Sequence, residues 1–135
     1  MASPLGPQIA TFLVGTLALL AATGDARGAD LTLHLSSDGA FTRAVAHYKC
    51  DAVGVQLGLP GGPFAVEYIN AAGNSLAILP VSGSSLVFVS VLSGSGARYA
   101  AQRYIWWEAA GRSISFSAET PAGTRRSTCE RVNGP

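Results

Sequence analysis

Cysteine and histidine are scarce in this chain, which has two of each among 135 residues. No Cys-x-x-Cys pair, His-Glu-x-x-His run or paired-cysteine zinc spacing can be written from so few, so a metal centre has no sequence signal. His34 and His47 lie too far apart to define a metal site, and each sits in a strand pattern that suits a solvent-facing or hydrogen-bonded imidazole. No phosphate-cradling glycine loop leads into a helix and no dinucleotide fingerprint occurs, so no cofactor is expected. A large charge of one sign is also missing. The formal net charge of +1 points neither to a nucleic-acid partner nor to a strongly acidic one. Gly94-Ser95-Gly96 lacks the Gly-x-Ser-x-Gly spacing of a nucleophile elbow. A Ser-His-acid triad can be assembled on paper from Ser95, His34 or His47, and Asp38 or Asp51, but any exported chain rich in serine permits that, and an enzyme is not expected.

Long apolar runs are few. Ile9 to Ala22 is too short to span a bilayer comfortably and suits the core of a signal peptide. Ala26-Arg27-Gly28 puts small residues at the minus-three and minus-one positions for cleavage before Ala29. Met1 to Gln8 carries no Lys or Arg, an unusual n-region, and an uncleaved membrane anchor is the alternative. No cysteine near the end of the apolar run could accept a bacterial lipid. The expected product is therefore Sec-exported, soluble, periplasmic and without a lipid anchor, divided into a signal peptide at 1–28 and one small domain at 29–135.

In an exported chain the pair Cys50 and Cys129 is most simply a disulfide, with two free buried thiols as the alternative. Chain entropy assigns so long a loop about 4 kcal/mol. The rest of the domain alternates in the manner of strands. Leu31, Leu33 and Leu35 alternate with Thr32 and His34, Val45, His47 and Lys49 with Ala46, Tyr48 and Cys50, and Phe64, Val66 and Tyr68 with Ala65, Glu67 and Ile69. Turn signals such as Ser37-Asp38-Gly39, Ala72-Gly73-Asn74, Ser82-Gly83-Ser84 and Ala110-Gly111-Arg112 punctuate the chain at short spacing. Strands are expected near 31–36, 44–51, 53–58, 64–71, 75–81, 85–92, 97–108, 112–118 and 125–132. With no convincing amphipathic helix, the fold class is all-β, an antiparallel barrel or sandwich. Leu86-Val87-Phe88-Val89 is apolar on both faces, so either something covers its outer side or two chains meet there as a homodimer.

One stretch stands apart. Ser93-Gly94-Ser95-Gly96 can reverse sharply and carry small hydroxyls at its tip. Ala97-Arg98-Tyr99 then leads through Tyr104-Ile105 into Trp106-Trp107, setting an aromatic wall beside that tip. Adjacent tryptophans on a strand face opposite ways, so at most one enters the core. Arginine outnumbers acid in the C-terminal third, which would suit an anionic partner or simply a solvated surface.

Ser95-Gly96-Ala97-Arg98-Tyr99 followed by Tyr104-Ile105-Trp106-Trp107 resembles the signature of the periplasmic or membrane-bound inhibitors of c-type lysozyme. Tyr48-Lys49-Cys50 resembles that family's early Tyr-x-Cys strand, and Cys129 stands where its late cysteine closes a disulfide. The resemblance implies a small eight-stranded barrel, in which a Cys129 strand returning beside the Cys50 strand would explain the bridge and remove both sheet edges. It also implies a host c-type lysozyme as partner, with Ser95 entering the active-site cleft between the catalytic carboxylates, Gly94 and Gly96 keeping the tip slim, and Tyr99 lining the base of the loop. Where the family often continues Trp-Trp-x-Lys-Gly, this chain reads Trp106-Trp107-Glu108-Ala109-Ala110-Gly111-Arg112. Ala109 replaces the lysine, Glu108 adds the wrong sign for an anionic cleft, and Arg112 is the candidate to compensate. The lysozyme-binding set is accordingly Ser95, Gly96, Ala97, Arg98, Tyr99 and Arg112. The runner-up function is an exported barrel that binds a small ligand in its interior, and a third is an envelope hydrolase.

Overall fold

The computed structural model describes residues 2–3, 28–36, 39–111 and 113–135. It divides into Met1–Thr32 and Leu33–Pro135, and the second unit holds every helix and strand among the described residues. The core of the expected signal peptide, Ser37-Asp38 of the first turn and Arg112 lie outside the described residues.

Eight antiparallel strands follow one another around a closed barrel: β1 (Thr42–Cys50), β2 (Phe64–Ala71), β3 (Asn74–Val81), β4 (Ser84–Val91), β5 (Ala97–Ala101), β6 (Tyr104–Glu108), β7 (Ile114–Thr120) and β8 (Gly123–Val132). The short helix α1 (Ala52–Gln56) interrupts the meander after β1. Closure comes from β1 pairing with β8, which places Cys50 directly opposite Cys129, and the two form the disulfide. Chemistry and topology agree at that seam: the bridge joins the two strands whose pairing leaves the sheet without an edge.

Two-residue hairpin loops set the register. Ala72-Gly73 and Ser82-Gly83 both have positive φ at each residue, matching the right-handed twist of the strands they join. Strand periodicity then sorts the side chains. Ala46, Tyr48 and Cys50 of β1 point inward with Phe64 and Val66 of β2, and Trp106, Phe88, Phe116 and Leu79 are buried completely. Side chains thus fill the interior, as a barrel of this size requires, and the space that an internal ligand would occupy is taken by aromatic rings.

Three expected strands differ from those observed. Residues 31–36 form no strand, and Leu31, Leu33 and Leu35 are exposed. Once β1 and β8 pair, the barrel offers no free edge to receive the alternating leucines. Residues 53–58 are not a strand, since α1 and its following turn occupy them. The Asp51 carboxylate accepts the backbone N–H groups of Val53 and Gly54, capping a helix that its valines and glycine do not advertise. The expected strand 97–108 is two strands, with a reversal at Gln102-Arg103 where Gln102 takes a φ of 51°. No glycine, proline or asparagine marks that turn. The outer side of β4 is as apolar as its sequence implies, with Val87, Val89 and Val91 exposed.

Candidate functional site

The segment between β4 and β5 carries the Ser-Gly tip. Its shape is set by a carbonyl. The Ser95 backbone oxygen accepts the Ser93 hydroxyl at 2.6 Å and the Trp107 indole N–H at 3.0 Å. Ser93 is therefore used up inside the loop, and Trp107 reaches from the outer face of β6 to hold it. The Ser95 hydroxyl makes no hydrogen bond among the described residues, and Ser95 is exposed. Of the two serines that the sequence offers, only Ser95 presents a free hydroxyl at the tip.

Gly96 is obligatory. Its φ is +65°, and a Cβ there would meet the Glu108 carbonyl oxygen at 1.9 Å and the Ala110 amide nitrogen at 2.7 Å. The loop thus rests directly on the backbone that leaves β6, where Ala97 pairs with Glu108. The same turn, Ala109 to Gly111, leads to Arg112. Ala109 and Ala110 therefore lie against the loop, while the position of Arg112 itself lies outside the described residues.

Strand alternation separates the next residues. Arg98 faces out opposite Trp107 and is exposed, whereas Tyr99 faces in opposite Trp106 and is buried. Tyr99 packs its ring 5.9 Å from that of Tyr68, so it braces the base of the loop from inside the barrel. Of the tryptophans, Trp106 is a core residue in edge contact with Tyr48 at 5.0 Å, and Trp107 is half-buried outside.

Glu108, expected to add the wrong sign for an anionic cleft, turns inward. It shares the inward face of β6 with Tyr104 and Trp106, and its Oε1 accepts the Tyr48 hydroxyl at 2.7 Å, the Tyr68 hydroxyl, and the Trp106 indole N–H at 3.3 Å. The carboxylate is directed into the barrel, so it adds no negative charge to the outward face of the loop. Burial pushes the Tyr48 phenol up to about 12, opposed by a hydrogen bond from Tyr68 and reinforced by the Glu108 carboxylate. Burial likewise raises Tyr68, with Glu108 adding to it, and raises Tyr99, with the Glu108 charge as second cause. The phenols stay neutral, and those of Tyr48 and Tyr68 donate to Glu108, which fixes the end of β6 on which Gly96 rests.

Strand parity could have found the Glu108 cluster, because Trp106 inward implies Glu108 inward. Nothing in the sequence marks the Trp107 to Ser95 hydrogen bond, since it runs across a loop whose path depends on Gly96. Among the described residues no cluster of three or more His, Cys, Asp or Glu side chains could hold a metal ion.

Comparison with known proteins converges on one group. The family model described as membrane-bound lysozyme-inhibitor of c-type lysozyme (MliC) matches residues 59–124. A protein of Pseudomonas aeruginosa named membrane-bound lysozyme inhibitor of C-type lysozyme is 45% identical over 76 residues, spanning 56% of this chain and 54% of that protein. A Cupriavidus necator protein of the same name is 36% identical over 94 residues, spanning 67% of this chain and 68% of that one. The solved structure of Pseudomonas aeruginosa MliC in complex with hen egg white lysozyme resembles this fold with a TM-score of 0.59 and 34% identity, over 78% of this chain and 99% of that one.

Proposed function

Because the chain belongs to the family of membrane-bound inhibitors of c-type lysozyme, we propose that it is an exported inhibitor of c-type lysozyme and not an enzyme. The loop Ser95-Gly96-Ala97-Arg98-Tyr99 enters the active-site cleft of the lysozyme and blocks peptidoglycan hydrolysis. The observation that carries this is the division of labour at the tip, where Ser93 and Trp107 both bind the Ser95 carbonyl and leave the Ser95 hydroxyl free.

The chemistry fits the target. A c-type lysozyme works with one carboxyl held protonated and a second one ionised. A serine hydroxyl donates to the ionised group and accepts from the protonated one, on a side chain short enough to reach the floor of a cleft. A loop already braced by two hydrogen bonds and a glycine contact loses little freedom on docking, which favours affinity. Arg98 leaves the same loop on its outward face, and Arg112, one turn further on, supplies the cation that Ala109 does not.

Export follows removal of residues 1–28. The relatives carry "membrane-bound" in their names, yet both cysteines of this chain are joined in the barrel disulfide. The disulfide occupies both thiols that a thioether-linked lipid would need, which supports the reading of a soluble periplasmic protein once residues 1–28 are removed. The exposed valines of β4 offer a face to a second copy, and a monomer by light scattering at micromolar concentration would remove that homodimer.

The deciding experiment titrates the purified protein against hen egg-white lysozyme digesting bacterial cell walls, with Ser95→Ala in parallel. The expected outcome is stoichiometric loss of lysis, weakened by roughly 10- to 100-fold in the variant, the size of one lost central interface contact. Unimpeded lysis at a large molar excess of the protein would overturn the proposal.

A further inference from the structure

Beside the loop, on the outer wall of the barrel, lies a groove of about 330 Å³ that shares Arg98 and Trp107 with the loop and its brace but extends beyond them across β7 and β8. Two neighbouring cross-strand rows build it. The first runs Arg98, Trp107, Ser115 and the second Ile105, Ser117, Arg126, so that β5 to β8 each contribute to the floor or rim. Leu92, Ser93 and Gly94 of the loop close one end.

Ser115 and Ser117 are unusual residues for the outside of a barrel. They are only 8% and 6% exposed, although their strand parity faces them away from the core. Neither hydroxyl makes a hydrogen bond among the described residues. Yet no fully enclosed side-chain oxygen among the described residues lacks a partner. Both hydroxyls must therefore open onto the groove, where each keeps a donor and two acceptor positions for something else. Arg98 and Arg126 are both exposed and bind no carboxylate among the described residues, so two guanidiniums flank the paired hydroxyls. Glu119, the acid among the residues that line the groove, accepts the Thr124 hydroxyl at 2.7 Å.

Paired hydroxyls on the floor, an indole in the wall and two guanidiniums at the rim match one chemistry well. Hydroxyls pair with the alternating donors and acceptors of a sugar ring, an aromatic side chain covers its apolar C–H face, and arginine binds carboxylate through a planar fork. The volume is at the lower end of small-ligand sites, enough for a monosaccharide or disaccharide. We propose that this groove binds an acidic saccharide, a pyranose carrying a carboxylate. Such a sugar belongs either to the muramyl units of peptidoglycan or to a uronic-acid polymer, and the same groove chemistry serves both.

The test uses the purified full chain with three probes: the N-acetylglucosaminyl-N-acetylmuramic acid disaccharide, digalacturonic acid, and neutral N,N′-diacetylchitobiose. Binding is followed by calorimetry and by the NMR resonance of the Trp107 indole N–H. The expected result is saturable binding of at least one acid, with the neutral sugar weaker by roughly tenfold or more and Arg126→Ala weakening the acid by a similar factor. Which acid binds identifies the source of the sugar. Arg126 is exposed and makes no internal hydrogen bond among the described residues, so the variant keeps the fold, and unchanged thermal unfolding checks this. Failure of both acids to saturate at about 10 mM, near the millimolar limit of meaningful affinity, would overturn the proposal. Equal binding of the neutral sugar, or an unaffected Arg126→Ala, would overturn it as well.

Discussion

At the scale of single residues, the loop depends on contacts that can be removed one at a time. Trp107→Phe deletes the indole N–H that holds the Ser95 carbonyl while keeping an aromatic surface on β6. The loss of one partly exposed hydrogen bond costs about 1 kcal/mol, and most of that falls on the order of the loop because Trp107 lies outside the core. Lysozyme inhibition is expected to weaken by roughly fivefold to tenfold, with the melting temperature almost unchanged. A large fall in melting temperature would make Trp107 a structural residue first. Gly96→Ala is harsher. Its Cβ would collide with the backbone of Glu108 and Ala110, and neither can move without opening the end of β6. A destabilisation of about 2–3 kcal/mol is expected from the left-handed backbone and the clash together. It is measurable by urea unfolding and accompanied by loss of inhibition. The need for glycine at position 96 was legible in the Ser-Gly tip, whereas the retirement of Ser93 was not, because its hydroxyl binds a carbonyl only once the turn exists.

Between elements, the junction of β1, α1 and β8 turns on Asp51. Its Oδ1 caps α1 and accepts the Ser127 hydroxyl at 2.7 Å, and its Oδ2 accepts the Thr128 amide at 2.9 Å. Gly54 fits here only because it has no side chain, since a Cβ would meet Ser127 Oγ at 2.7 Å. The Thr128 N–H above all, then the Ser127 hydroxyl and the two helix amides, hold the Asp51 carboxyl below its ordinary value. A carboxylate depressed in the fold contributes stability above its unfolded pKa of about 3.9 and loses it as pH falls through the folded value. The barrel should therefore weaken below about pH 4, and Asp51→Asn, which keeps a capping oxygen, should flatten that acid limb. Asp51→Ala should cost about 1 kcal/mol at neutral pH through the lost cap. Thermal melts at stepped pH separate the two effects, and an acid limb unchanged in Asp51→Asn would place its origin elsewhere. The strands that the sequence revealed are those with alternation, such as β1 and β2, or with glycine-marked turns on either side, such as β3 and β4. The helix was hidden because its cap residue acts through a tertiary neighbour, β8, and the β5–β6 reversal was hidden because Gln102 adopts its positive φ without a favoured residue.

For the whole molecule, closure is what converts local alternation into one fold. The pairing of Cys50 with Cys129 was open to view, but the reason that residues 31–36 stay out of the sheet was not, because it lies in the absence of an edge. Closure also gathers Tyr48 from β1, Tyr68 from β2, Tyr99 from β5 and Glu108 from β6 into one cluster, though 60 residues separate Tyr48 from Glu108. That cluster makes global stability sensitive to alkali. An unfolded tyrosine ionises near pH 10, while burial and the Glu108 carboxylate raise Tyr48 to about 12 and raise Tyr68 and Tyr99 as well. The fold prefers the neutral phenols, so their contribution is fully present below the unfolded value and is lost as pH climbs through the folded one. Stability should fall progressively above about pH 10, with the phenolate absorbance of these tyrosines appearing together with loss of the barrel's circular dichroism. Tyr68→Phe removes one ionisable partner and one donor to Glu108. It should lower stability at neutral pH by about 1–3 kcal/mol through the weakened carboxylate contact, yet make the alkaline decline shallower. If the tyrosines instead titrate near pH 10 with the dichroism intact, the cluster is open to solvent, and the support it gives to the end of β6, and through Gly96 to the loop, is absent.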